Sequence, residues 1–343
     1  MIEIILRRLG FMLLTMLIVS MAIFIISEVV PVDVARNILG QFATEQGIAA
    51  LREQLGLNCP TGVRYVIWLA GDDWIPPVRD LVGESVLPSG CTPEGLERRG
   101  LLRGDMGIST QYGGPVAPFL MRRLKNSLVL AGISFVAIMP ISLLLGAVAG
   151  LREGGFLDRF ISIASLVTTS SPTFATGVIL IVIFSRWLGI LPGISIMMTD
   201  SSAFESLEKL VMPIAVLFLA EAGYVARMTR ASMVDVMRQP YVRTAILKGL
   251  PRWKVILRHA LPNALLAPIT VIMLHVNWLI GGVVVVEVLF GFPGLGNALL
   301  TASLNKDLYI IEAGSLLMTF VATATQLVAD IIYVYLNPRI RFS

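Results

Sequence analysis

Long stretches of almost uninterrupted apolar residues alternate along the chain with segments where charges and turn-forming residues gather. Six such stretches run from Leu9 to Val30, from about Ser127 to Gly150, from about Phe160 to Leu188, from about Leu210 to Ala226, from about Ala264 to Phe290 and from about Glu312 to Leu336. A helix needs roughly 20 residues to cross a hydrocarbon layer about 30 Å thick. Each stretch therefore predicts a transmembrane helix, and the predicted fold is an all-α polytopic membrane protein with six spans. Arg7 and Arg8 precede the first stretch as they would in a signal peptide. That apolar run is longer than the usual 7–15-residue core of such a peptide, and no small-x-small cleavage site follows Ile26, so a retained helix is expected.

Composition agrees with the pattern. Of 343 residues, 56% are hydrophobic and 15% charged, against roughly 25% charged in a soluble domain, and the mean hydropathy is +0.80. The net charge of +4 and pI near 9.2 would suit a nucleic-acid partner if the basic residues shared one face. They lie at the ends of the apolar stretches instead, so the expected partner is membrane lipid and not nucleic acid.

Lys and Arg near span ends are retained in the cytoplasm. Arg7 and Arg8 place the N-terminus inside, and alternation then places Leu151–Arg159, Met228–Asn263 and the tail Asn337–Ser343 inside too. The loop before the fifth span carries Arg230, Arg238, Arg243, Lys248, Arg252, Lys254 and Arg258 against Asp235, and the tail adds Arg339 and Arg341. Arg122, Arg123 and Lys125, just before the second span, run against this rule.

The resulting division is an N-terminal segment with the first helix (1–30), an extracytoplasmic cap (31–126), a five-helix core (127–336) containing an inner loop (227–263), and a cytoplasmic tail (337–343). The cap mixes amphipathic stretches such as Thr44–Leu55 with Pro- and Gly-rich turns from Ile75 to Pro93, and it holds both cysteines, Cys59 and Cys91. An oxidising compartment would let them form a disulfide; two separate buried thiols are the alternative.

The chain carries no GxxxxGK[ST] loop, HExxH, CxxC or GxSxG motif, so neither nucleotide hydrolysis nor a familiar covalent chemistry is encoded. No metal site is expected, and His259 and His275 stand alone in the sequence. Glu28, Glu221, Glu287 and Asp330 fall close to predicted span ends, where an acid is either functional or reaching toward the interface.

The inner loop, with RMTRASMVDVMRQPYVRTAILKGLPRWKVILRHALPNALLAP over Arg227–Pro268, predicts two short amphipathic helices, one ending near Lys248 and one starting at Pro251. Gly249 is placed to end the first in the left-handed conformation, and Pro251 suits the first position of the next. Ala245 and Gly249 share a face on which a partner could approach closely. Either this element enters a groove on another protein, or a basic loop rests on anionic headgroups. In the third span, Thr168-Thr169-Ser170-Ser171-Pro172-Thr173 interrupts the apolar run. Pro172 frees a backbone carbonyl, as tolerated beside a cavity; the stretch either borders a passage or kinks a packed helix.

Here the chain resembles the inner-membrane permease subunits of ATP-binding-cassette (ABC) importers, in their dipeptide, oligopeptide and nickel branch. The permease signature reads EAA, three residues, Gly, nine residues, I-x-L-P. Its spacing is kept by Arg243-Thr244-Ala245, Gly249 and His259-Ala260-Leu261-Pro262, with Arg243, Thr244 and His259 replacing Glu, Ala and Ile. The branch's YVRTARAKGL and RHALRNALLP are followed closely by Tyr241–Leu250 and Arg258–Pro268, with Pro262 replacing a basic residue. Further matches are LREQLGL (Leu51–Leu57), GDMGIS (Gly104–Ser109), SPTF (Ser171–Phe174), VEVLFGFPGLG (Val286–Gly296) and NPRIR (Asn337–Arg341). The stretch from Asp72 to about Arg99, containing Cys91, is an insertion relative to the branch.

The resemblance implies a multi-pass protein of the bacterial inner membrane, with both termini cytoplasmic, working with a second homologous permease subunit. It further implies two ATP-binding subunits that carry the ATP and Mg, none on this chain, and a periplasmic substrate-binding protein. Tyr241, Thr244, Ala245, Lys248, Gly249 and Leu250 would engage an ATPase groove. Thr168, Ser170, Ser171, Pro172 and Phe174 would border the path, and Glu287, Phe290, Pro293 and Gly294 would form its outer gate. The solute would be a peptide, or else a nickel chelate, an oligosaccharide or another small solute. A self-contained secondary transporter would instead show repeated spans and a midplane ion site.

Overall fold

In a computed structural model, residues 2–29, 39, 44–54, 59–75, 91, 99–195 and 208–336 are described. The tail with its NPRIR motif, most of the 72–99 insertion, and Leu55–Leu57 of LREQLGL lie outside the described residues. The described residues are helical apart from turns, coil and one isolated bridge between Ile108 and Pro115. In order, the helices are α1 (Ile2–Val29), α2 (Glu45–Gln54), α3 (Thr61–Ala70), α4 (Val116–Leu151), α5 (Phe156–Ser170) and α6 (Thr173–Leu180), which runs on as a π-helical stretch over Ile181–Trp187. There follow α7 (Glu208–Met237) and α8 (Pro240–Leu247). Next come α9 (Arg252–Ala264, with a π turn over Ile256–Ala260), α10 (Leu266–Phe290), α11 (Leu295–Asn305) and α12 (Leu308–Leu336).

Among the described residues, α1, α4, α7 and α12 are each long and apolar enough to cross a membrane. Three bent pairs meet the same test together: α5 with the α6 segment (107°), α9 with Leu266–Met273 (41°), and Trp278–Phe290 with α11 (63°). The stretch read from sequence as a third span is thus two helices meeting at a sharp corner. The second begins at Val116, well before the predicted Ser127. Arg122, Arg123 and Lys125 are accordingly helical residues and not loop residues, and Arg123 stacks its guanidinium 5.0 Å from the Phe119 ring. The helix α7 likewise outruns its predicted end at Ala226 by three turns, because its apolar face continues through Thr229, Met233 and Val234, all buried.

The chain packs as two units, residues 1–123 with 298–321, and residues 124–297 with 322–343. In the first, Phe24, Tyr65 and Trp68 form a ring cluster with centroids 5.4–5.9 Å apart, joined by Leu316. Ser27 donates to the Glu312 carboxylate at 2.6 Å, which partners an acid that burial alone would disfavour. Cys59 and Cys91 form a disulfide, Cα atoms 5.2 Å apart, packed with Ile67 and Ile75.

The second unit is built on α4, α7 and α10, whose Leu130, Ile138, Val216, Leu217, Val283, Val286 and Phe290 share one buried core. Lipid tails are as apolar as these side chains, so close packing has to supply the association. Small residues allow it: Gly146 and Gly150 of α4 meet α7, and Gly223 of α7 meets Ser165 of α5. At the end of this core Asp158 of α5, 2% exposed, is gripped by the Arg230 side chain of α7 through Nε and, at 2.7 Å, Nη2.

Candidate coupling turn and translocation path

The helix–Gly–helix element forms where local sequence rules place it. Pro240 opens α8 at a position that needs no N–H donor, after Gln239 in extended conformation. At the other end Gly249 takes φ +77°, which a residue with a Cβ rarely adopts. Its N–H donates to the Ile246 carbonyl at 2.9 Å, and the Leu250 N–H donates to the Ala245 carbonyl at 3.4 Å. This pair of bonds is the Schellman arrangement, and it satisfies carbonyls that a helix end leaves open. Pro251 caps α9 from outside at φ −64° and ψ 142°, one position earlier than predicted, so that α9 begins at Arg252.

Behind the turn, Val242, Ala245 and Val255 are buried together, with Leu250, Val236 and Met237 against them. Ala245 and Leu250 therefore hold the two helices to each other. This corrects the expectation that Ala245 shares an open face with Gly249. Tyr241, Thr244, Lys248 and Gly249 are exposed, and Gly249 has open space where a Cβ would stand. Sequence reasoning missed the apolar residues beside them: Leu247 is 80% exposed, Trp253 63% and Ile246 51%. Their signal was present in the sequence as large apolar residues interleaved with Arg243, Lys248, Arg252 and Lys254 outside any predicted span.

The corner between α5 and α6 lies at Ser171 and Pro172, both extended, with ψ of 133° and 135°. A proline disfavours the helical conformation in the residue before it, which ends α5 at Ser170. Three hydroxyls of the polar run bond back to the helix that carries them. Thr169 donates to the Ser165 carbonyl at 2.7 Å, Thr168 to the same carbonyl at 3.3 Å, and Ser171 to the Val167 carbonyl at 2.9 Å. Such back-bonding lets hydroxyls sit in an apolar segment without open donors. Ser170, Pro172 and Phe174 face outward, Phe174 at 60% exposure.

Residues 287–297 form a third feature, a turn fixed by one carboxylate. Gly291 ends α10 at φ 63°. Glu287, fully buried, accepts from Ser127 Oγ at 2.5 Å, from the Gly296 N–H at 2.7 Å and from the Asn297 N–H at 3.3 Å. Both amides belong to the first turn of α11, where a negative charge meets the open donors and the positive end of the helix dipole. A Cβ on Gly294 would run into this carboxylate. Asn126 Nδ2 donates to the Pro293 carbonyl at 2.9 Å, and Ser127 Oγ accepts from the Leu295 N–H at 2.7 Å. The predicted quartet Glu287, Phe290, Pro293 and Gly294 is thus gathered in one turn, Phe290 buried in the core behind it. Asn126, Ser127 and Asn297 were not foreseen, since nothing local in sequence pairs them with Glu287.

Comparison with known proteins gives these features a common setting. Residues 142–342 match the binding-protein-dependent transport system inner membrane component, and residues 1–75 match the N-terminal membrane component of such systems. A probable peptide ABC transporter permease protein of Sinorhizobium fredii is 33% identical over 341 residues, 98% of this chain and 99% of that protein. An oligopeptide transport system permease protein of Bacillus subtilis is 30% identical over 322 residues, 93% of each chain. A glutathione transport system permease protein of Salmonella typhimurium is 31% identical over 342 residues, 100% of each. The similarity spans both packing units and the Gly249, Pro172 and Glu287 features together, and the chain belongs to the binding-protein-dependent transport system inner membrane components, the permease subunits of ABC importers.

Proposed function

We propose that this chain pairs with a second permease to form a peptide path, which is loaded by a periplasmic binding protein and driven by two cytoplasmic ATPases. The substrate class is supported by relatives whose names specify peptides, oligopeptides and glutathione, each similar over nearly its whole length. ATP and Mg belong to the ATPases, consistent with the lack of a phosphate-binding loop in this sequence.

One observation carries the reading: the closed turn at Gly249, with Tyr241, Thr244, Lys248, Ile246, Leu247 and Trp253 outward around it. An apolar patch ringed by cations suits a groove on a folded protein partner. Ala245 and Leu250 act behind it by fixing the angle between α8 and α9. The path is lined from the corner at Thr168–Phe174, and the Glu287 turn frames its outer end. Gly249→Val is the test. A branched side chain at positive φ distorts the turn, which lies outside the membrane core, so the protein should reach the membrane in near-normal amount. Uptake should fall more than about tenfold, with weakened co-purification of the ATPase, since a loss of 1.4 kcal/mol in association already costs that factor. Wild-type uptake and ATPase association in Gly249→Val would refute the docking role. A loop merely resting on lipid headgroups would tolerate the change, because no basic residue is removed.

A further inference from the structure

Glu221 was expected near a span end, yet it lies in the middle of α7, 9% exposed, among the buried residues of that helix. His275, isolated in sequence, stands opposite on α10, its Nδ1 2.8 Å from Glu221 Oε2. The Tyr224 ring backs the imidazole, centroids 4.6 Å apart. A carboxylate accepts only, so Nδ1–H is the donor and the ring is oriented by the acid it holds. Among the described residues, the other oxygen, Oε1, has no hydrogen-bond partner.

The same glutamate lines a cavity of about 480 Å³ together with Thr173, Trp278, Gly281, Gly282 and Val285. Thr173 is the first residue of α6, immediately after the corner at Pro172. The cavity therefore opens where the broken helix meets α7 and α10. Among the described residues, no Lys or Arg lines it. An acid at membrane depth is costly and is kept where it serves an ion or solute pathway. Two adjacent glycines make one wall low, and Trp278 adds an aromatic face, which attracts cations.

We propose that this cavity binds a primary ammonium group of the passing solute, with Glu221 as its counter-charge, Thr173 as a second acceptor and His275 as the residue that positions the carboxylate. An ammonium supplies three donors, and the open oxygen, the hydroxyl and the indole face accept them. Assignment of that ammonium to a peptide rests on the peptide reading above; the charge preference of the cavity does not.

The chain offers a clean probe, because among the described residues there is no free cysteine and a Cβ on Gly281 meets nothing within 4 Å. Gly281→Cys would be placed in the assembled transporter in membrane vesicles. It would then be labelled with a cationic methanethiosulfonate (ethyltrimethylammonium) and an anionic one (ethylsulfonate). The cationic reagent should react faster, relative to the two rates on free cysteine, by about tenfold, as expected for one charge several ångströms away in a medium of intermediate dielectric. Adding Glu221→Gln, which keeps shape and removes charge, should collapse that preference. An unchanged ratio in Glu221→Gln, or a Gly281→Cys thiol inert to both reagents, would overturn the proposal.

A second arm separates the sources of ammonium. Protection of the thiol by trialanine and not by N-acetyl-trialanine assigns the peptide amino terminus. Protection by an N-acetylated peptide containing lysine assigns a side-chain ammonium. A preserved charge preference without protection by any of these peptides would support the cation site and count against the peptide reading.

Discussion

Gly249 and Glu287 each decide a turn, but by different physics. Gly249 acts through its own backbone: at φ +77° it lets two N–H groups reach the last carbonyls of α8 within five residues of chain. Glu287 acts at a distance, its oxygens joining Ser127 to the first amides of α11. Charge-assisted bonds of this kind are roughly twice as strong as neutral ones, and their loss leaves buried donors open. Glu287→Ala should therefore destabilise the protein by about 2–4 kcal/mol, seen as a lower melting temperature of the detergent-purified complex. Glu287→Gln keeps one carbonyl acceptor and should lose less than half as much. Equal melting of wild type and Glu287→Ala would show that the carboxylate does not secure the turn. The first of these turns was legible in sequence because every atom that closes it lies within a few residues. The partners of Glu287 were not, because Ser127 lies on another helix and only packing brings it near.

At the scale of elements, the ends of helices carry most of the new information. The apolar pattern located the cores of α1, α4, α7, α10 and α12, while the true ends at Val116 and Met237 depended on neighbours that cover the extra turns. The Asp158–Arg230 pair joins two such elements, α5 with its corner at Pro172 and α7 leading to the Gly249 turn. Asp158 also accepts from the Gly154 N–H at 2.9 Å, so its carboxylate is held from both sides. Removing one partner of a fully buried pair costs about 3–5 kcal/mol. Arg230 is 32% exposed, so Arg230→Ala should cost about 2 kcal/mol. Asp158→Asn in the same chain should recover part of that loss, because no unpaired charge then remains. Additive losses in thermal melts of the two single variants and the double variant would show that the pair is not coupled.

For the molecule as a whole, the distribution of Lys and Arg predicts both termini and the Gly249 turn on the cytoplasmic side. Reporter fusions at Gly95 and at Arg252 should report opposite faces of the membrane; the same face for both would overturn that orientation. By itself the sequence determined the helical class, the positions of the apolar cores, the turn at Gly249 and the resemblance to importer permeases. These follow from hydropathy and from backbone rules that act over a few residues, so no tertiary context is needed to read them. Tertiary structure decided the 107° corner at Pro172, which a continuous apolar run conceals. It turned Ala245 inward against Val255 and placed His275 against Glu221 across two helices. Such pairings are set by the closest approach of surfaces that are far apart in sequence, where small residues such as Gly223 permit contact. No periodicity within one segment encodes which residue of another will face it.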